Sequence, residues 1–206
     1  MILLLNYSHL IWQVLFFSFF IGQFDVPNGD NTSLLFDIIM NDKVIGSLEA
    51  TRTTDGSQTI YKSLTSIKTK IIKDVEVDYE YNVIFEKSIL KKANVDILIN
   101  QKPHVKTRTG LKDKNYYVIK NGKPKTVLHQ AIDYTTVLLF FREPTGINEC
   151  FSEQGGSLNA IVALGNHSYK KINAKKQENI YYYKNGSLEK ADIDGGLIHL
   201  SIVARK

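Results

Sequence analysis

Residues 74–86 (DVEVDYEYNVIFE) place Val75, Val77, Tyr79, Tyr81, Val83 and Phe85 at one parity. Asp74, Glu76, Asp78, Glu80, Asn82 and Glu86 take the other, with Ile84 the exception. A helix would scatter these side chains around its circumference, whereas a strand sends alternate ones to opposite faces. The stretch therefore predicts a strand with one buried and one wet face, the signature of an antiparallel sheet. The same parity extends backwards through Ile67, Thr69 and Ile71 against Ser66, Lys68 and Lys70. Either one long strand runs through, or a turn falls near Ile72-Lys73-Asp74. In a hairpin, Lys68 and Lys70 would face the acidic row across strands.

Turn dipeptides mark further strands. Asp55-Gly56, Asn121-Gly122 and Asn185-Gly186 each sit between strand-like runs, as type I′ hairpin turns require. A fourth turn is expected at Asn41-Asp42-Lys43, and Gly195-Gly196 precedes a last strand over 197–204. Additional strands are expected at 94–99, 104–109 and 157–164. The pattern predicts a mainly β fold: an antiparallel curved sheet or barrel-like half-barrel of about ten to twelve strands. One segment, His129–Arg142 (HQAIDYTTVLLFFR), lacks Gly and Pro, and Ile132, Thr136, Leu139 and Phe140 fall at helical spacing. It predicts one short helix over about residues 131–141 with Asp133 at its start, although Val137–Phe141 equally suits a buried strand.

The amino terminus reads differently. Residues 1–24 contain no Lys, Arg, Asp or Glu, and Ile11–Gly22 form an apolar core of the length of a signal h-region. No positive charge precedes that core and no A-x-A-like site follows it. The organisation expected is a signal peptide or N-terminal anchor over 1–24, a spacer over 25–32 and a single β-rich domain over 33–206. In the mature chain no membrane span is expected, because the clean apolar run is shorter than the roughly 20 residues a spanning helix needs.

Composition excludes more than it assigns. Hydrophobic residues at 43% and aromatics at 11% are too many for a wholly disordered chain. The single cysteine, Cys150, excludes an internal disulfide framework. A net charge of +5 is too mild to imply nucleic acid. The five histidines show no ligand spacing, so no metal and no cofactor is expected. There is no G-x-S-x-G elbow, phosphate loop or G-x-G-x-x-G, and no catalytic residue is assigned. Cys150 reads as a small buried apolar residue. Lysines gather at 102–125, with Tyr116 and Tyr117 among them, which suits either a solvated face or an acidic-polymer surface. Tyr181 and Tyr183 share one strand face and Tyr182 takes the other.

Five motifs recur in a fixed order: Lys43-Val44-Ile45-Gly46, Tyr79-Glu80-Tyr81, Asp133 to Pro144, Phe151-Ser152-Glu153-Gln154-Gly155-Gly156, and Tyr181 to Leu188. Together they resemble a family of exported bacterial proteins of unknown function, over nearly all of residues 33–204. That family is similar to larger groups of envelope proteins with a curved sheet around a helix, such as the lipoprotein carriers. The resemblance implies an envelope address, in the periplasm or cell envelope or secreted, and a concave apolar surface. It implies no catalytic residues.

The function expected is a non-enzymatic exported domain that holds a lipid or other apolar small molecule in its concave sheet. The ligand-facing candidates are Tyr79, Tyr81, Leu138, Phe140, Phe141, Tyr181 and Tyr183. One alternative is an envelope interaction module that binds an acidic polymer or envelope protein through Lys102–Lys125. Another is a hydrolase with a spatially assembled site near Ser152-Glu153 and Cys150.

Overall fold

The computed structural model describes residues 30–70, 74–195 and 199–205. The signal or anchor read over 1–24 lies outside these residues, and so do 71–73 and 196–198. Among the described residues, fourteen strands form one antiparallel sheet. They are β1 (Asp30–Met40), β2 (Lys43–Asp55), β3 (Gln58–Lys70), β4 (Asp74–Glu86), β5 (Ile89–Ile99), β6 (Lys102–Lys112) and β7 (Asn115–Lys120). The second seven are β8 (Lys123–Leu128), β9 (Glu149–Ser152), β10 (Ser157–Gly165), β11 (Ser168–Ile172), β12 (Glu178–Lys184), β13 (Ser187–Asp194) and β14 (His199–Ala204). β1 begins inside the stretch read as spacer.

β1 to β8 follow one another as a meander, and β9 to β14 form a second. β1 pairs with β14, Phe36 opposite Ala204, and this seam joins the two meanders. β8 and β9 are left as edges, so the ladder does not close. β3 and β4 form the hairpin allowed by the sequence, with Lys70 in register with Asp74. Lys68 and Glu76 then meet across it at 2.9 Å. Both groups are open to solvent, so the pair adds little to stability.

The sheet curls around one core. Phe36, Ile38, Leu48, Val83, Phe85, Tyr116, Tyr134, Phe151 and Tyr181 all face it and are buried. Each such side chain contributes about 1.5–3 kcal/mol through the area it removes from water. The alternation seen in the sequence is the alternation observed: Val83 and Phe85 are buried, while Asp74 and Glu80 are exposed.

Two expectations are corrected. The strand number is fourteen rather than ten to twelve, and the additional strands are β9 and β11. β9 has four residues and β11 five, too short for a periodic signal. The turn before β11, Asn166-His167, has φ of 49° and 56° without a glycine. Lys87-Ser88, Asn100-Gln101 and Asp113-Lys114 likewise turn at positive φ in both residues. Asn121-Gly122 and Asn185-Gly186 are two-residue turns with both φ positive, as expected. At the first dipeptide the loop is shifted by one residue. Asp55 pairs with Gln58, and Gly56 is positive in φ without Ser57, the pattern of type II′.

The helix expected over 131–141 is replaced by extended chain and a short 3-10 turn, Thr136–Phe140. Ala131, Ile132, Asp133 and Tyr134 alternate exposed, buried, exposed, buried, which is strand parity. Their backbone bonds go to neighbours: Leu90 N–H donates to Ile132 O at 2.8 Å and Phe151 N–H to Tyr134 O at 2.9 Å. Asp133 does not cap the turn, whose N-cap residue is Thr135.

Gly46 explains the first motif. It follows the β1–β2 bulge, and a Cβ built there would lie 2.2 Å from Ser66 O on β3. Gly110, by contrast, has open space. Gly46→Ala is expected to lower stability to urea by about 1–3 kcal/mol, whereas Gly110→Ala stays neutral or slightly stabilising.

Candidate functional site

The inner face holds a partly open cavity of about 180 Å³. Strand parity alone delivers most of its wall. Tyr79 and Tyr81 reach it from β4, Tyr181 from β12, and Leu200 and Ile202 from β14. Val137 and Phe140 of the 3-10 turn supply the remaining apolar side. The polar groups are few: Thr136, Ser152, Gln154, Lys171 and Asn179 stand out among them. Concave, apolar walls with a few placed polar groups are the general form of a small-molecule site. A larger hollow of about 440 Å³ lies on the outer parity and is lined by Glu49, Asp78, Glu80 and Asp96, which suits a solvated face.

Behind the cavity lies a buried polar chain. Glu153 is 1% exposed, and its carboxylate accepts the N–H groups of Thr136 at 3.1 Å and Val137 at 3.0 Å. It thus caps the 3-10 turn from a different element, because Thr135 provides no side-chain cap. Burial pushes the Glu153 pKa up, against the pull of its N–H donors and of Lys171. Thr136 is the link to the cavity. Its hydroxyl donates to Phe151 O at 3.3 Å and accepts from Lys171 Nζ at 3.5 Å. Lys171 is 8% exposed. Burial alone pulls its ammonium down, but Tyr181, Cys150 and Glu153 outweigh it, and the net shift is upward. Lys171 thus sets an amino group on the cavity wall.

The turn between β9 and β10 holds this arrangement against the opposite meander. Gln154 O accepts from Thr107 Oγ1 at 3.0 Å and Lys120 Nζ at 3.1 Å, and Gly155 O accepts from Lys125 Nζ. Gly156, at φ +64°, lies so close to β7 that a Cβ would sit 2.4 Å from Val118 Cγ1. Tyr81 Oη donates to Gln154 Oε1 at 3.3 Å. The Phe-Ser-Glu-x-x-Gly motif is thus the clasp between the two halves of the sheet.

Of the seven candidates, the structure brings Tyr79, Tyr81, Phe140 and Tyr181 together around the cavity. Leu138 is buried in the core. Phe141 packs on Tyr61 with centroids 5.2 Å apart and lines a separate hollow beside the start of β1. Tyr183 donates from Oη to Leu139 O at 2.7 Å and meets Tyr169 edge-on. Tyr182 points outward, with Lys190 Nζ 5.7 Å above its ring. Sequence reasoning missed Lys171. The five residues of β11 carry no periodic signal of their own, but once the strand is placed an inward Tyr169 takes Lys171 with it.

The residues of the alternative readings have defined places as well. Arg108 forks onto Asp96 at 2.8 and 2.6 Å, and Lys120 and Lys125 serve the clasp, while Lys102, Lys106, Lys112, Lys114 and Lys123 are exposed. Ser152 Oγ accepts the Gly155 N–H at 3.0 Å. Cys150 is fully buried, and burial pushes its thiol up to about 12. Among the described residues no group of three or more His, Cys, Asp or Glu is arranged to hold a metal, and no helix is long and apolar enough to cross a membrane.

Two outcomes follow from these positions. Cys150 stays a neutral thiol at pH 8, so a thiol reagent should label the native protein far more slowly than the urea-unfolded chain. Glu153→Ala orphans two buried N–H groups and is expected to cost about 2–4 kcal/mol in denaturation, with partial rescue by Glu153→Gln. The raised pKa also sets a sign. The folded state binds the Glu153 proton more tightly, so its contribution is full below the ordinary value of 4.5 and falls as pH rises through the raised one. Glu153→Gln should remove that slope from the pH dependence of stability.

The comparison with curated proteins returned no match. Among solved structures, the chain is similar to a beta-barrel-like protein of domain of unknown function DUF1849 from Brucella abortus. The identity is 12% and the TM-score 0.49, over 85% of this chain and 95% of that one. The model of a domain of unknown function, DUF6134, matches residues 36–205, from the second half of β1 to the end of β14, and the chain belongs to that family.

Proposed function

We propose that the chain is an exported, non-enzymatic envelope domain that holds a lipid or other apolar ligand inside its curled sheet. The observation that carries this reading is the cavity of about 180 Å³ whose apolar wall draws on both meanders and on the 3-10 turn. A void of this size lined by Tyr, Phe, Leu and Ile side chains forfeits dispersion contacts, and an apolar occupant restores them. The uncharged residues 1–24, with their apolar core, support the envelope address.

The size restricts the occupant. A dry cavity of ~150 Å³ accepts benzene, so this one takes about seven carbons, a short acyl chain or the inserted end of a longer one.

Native mass spectrometry of gently purified protein is the test. Co-purifying acyl compounds are expected in the wild type and absent in Leu200→Trp, which fills the wall from β14 while leaving the far-ultraviolet circular dichroism unchanged. Persistently empty spectra, with no uptake of added short-chain lipid, would count against the reading.

A further inference from the structure

Resting on the cavity as a ligand site, we infer that its ligand carries an acid group: a monocarboxylate with an apolar tail of about seven carbons, its acid at Lys171. Lys171 is 8% exposed and lines the cavity that Leu200, Ile202 and Phe140 make apolar. Its hydrogen-bond partners are neutral, the Thr136 hydroxyl at 3.5 Å, the outer limit of a hydrogen bond, and the neighbouring Tyr181, while Glu153 acts on it only from farther off. The ion pair on this strand belongs to its neighbour, Lys170, which meets Glu178 at 2.7 Å. The Glu153 oxygens are taken by the Thr136 and Val137 N–H groups, and Glu153 does not line the cavity.

A buried ammonium hydrogen-bonded only by neutral groups is costly, because desolvation is not repaid by a charge-assisted bond. A ligand carboxylate supplies that bond in the one place where its tail also finds apolar walls. Asn179 stands opposite Lys171 on β12 and lines the same cavity. Its Oδ1 accepts the Asp194 N–H at 3.0 Å, which leaves the amide nitrogen to donate to a second carboxylate oxygen. The inner face thus holds donors at one side and hydrocarbon at the other, the polarity of an amphiphilic acid. A neutral lipid would bury the same tail and leave the ammonium as it is.

The test is calorimetric titration of the full chain with octanoate and with 1-octanol. The wild type is expected to bind octanoate about tenfold or more tightly than octanol. Lys171→Met keeps the volume of the side chain and removes its charge, a change that buried ion sites commonly tolerate. It should abolish the preference for octanoate and leave octanol binding within about threefold of wild type. Equal binding of acid and alcohol by the wild type, or a preference that survives in Lys171→Met, overturns the inference while leaving the apolar site standing. Binding of neither compound overturns both. The wild-type comparison stands even where the variant fails to fold.

Discussion

The Glu153 carboxylate on the N–H groups of Thr136 and Val137 is the contact on which the rest of the architecture hangs. A fourteen-stranded sheet that curls without closing its ladder has two free edges and a core open along one side. The chain between those edges, residues 129–148, sends Ile132, Tyr134 and the 3-10 turn into the interior. It has few regular backbone partners there, and the start of its 3-10 turn would leave donors buried without acceptors. Glu153 meets them from the β9–β10 turn, and the next two carbonyls of that turn receive the side chains of Thr107, Lys120 and Lys125 from the other meander. One tight turn therefore satisfies the plug on one side and fastens the sheet on the other. Its glycine at 156 is required because β7 leaves no room for a Cβ.

This solution places ionisable groups where hydrocarbon would be simpler. Glu153 and Lys171 are both buried, and Thr136 stands between them with its amide turned to one and its hydroxyl to the other. Such arrangements seldom add net stability over a well-packed apolar alternative. What they add here is position. The turn, the cavity wall and the cation are locked to one another, so the inner face acquires a fixed polarity that aliphatic packing could not confer.

The sequence made the strands legible wherever period-2 patterning was long, as at 74–86, or where Asn-Gly marked a turn. It hid the turns at Lys87-Ser88, Asp113-Lys114 and Asn166-His167, because ordinary side chains occupy left-handed conformations there and only the two-strand context enforces them. It misled at 131–141, where Ile132, Thr136 and Leu139 fit a helical face by spacing. The backbone of that stretch is spoken for by Leu90 and Phe151, residues far off in the chain that no local pattern reveals. The aromatic part of the cavity was readable from parity at Tyr79, Tyr81 and Tyr181. Lys171 was not, because β11 is too short to announce itself as a strand, a lysine is by default a surface residue, and its neighbours across the cavity come from elements remote in sequence.

The seam between β1 and β14 has a consequence for the order of assembly. The Arg205 guanidinium meets Asp37 across 168 residues of chain. At translation rates of about 5–20 residues per second, β1 waits on the order of 10–30 s for its second partner to be made. Through that interval the first meander can form its own hairpins, yet β1 presents a row of unpaired amides and carbonyls to any other nascent edge. β14 is the strand that joins the halves, so the interior acquires its walls only after β14 has been made. Loss of β14 alone would thus leave two meanders with no common ladder, a far larger loss than the residues removed.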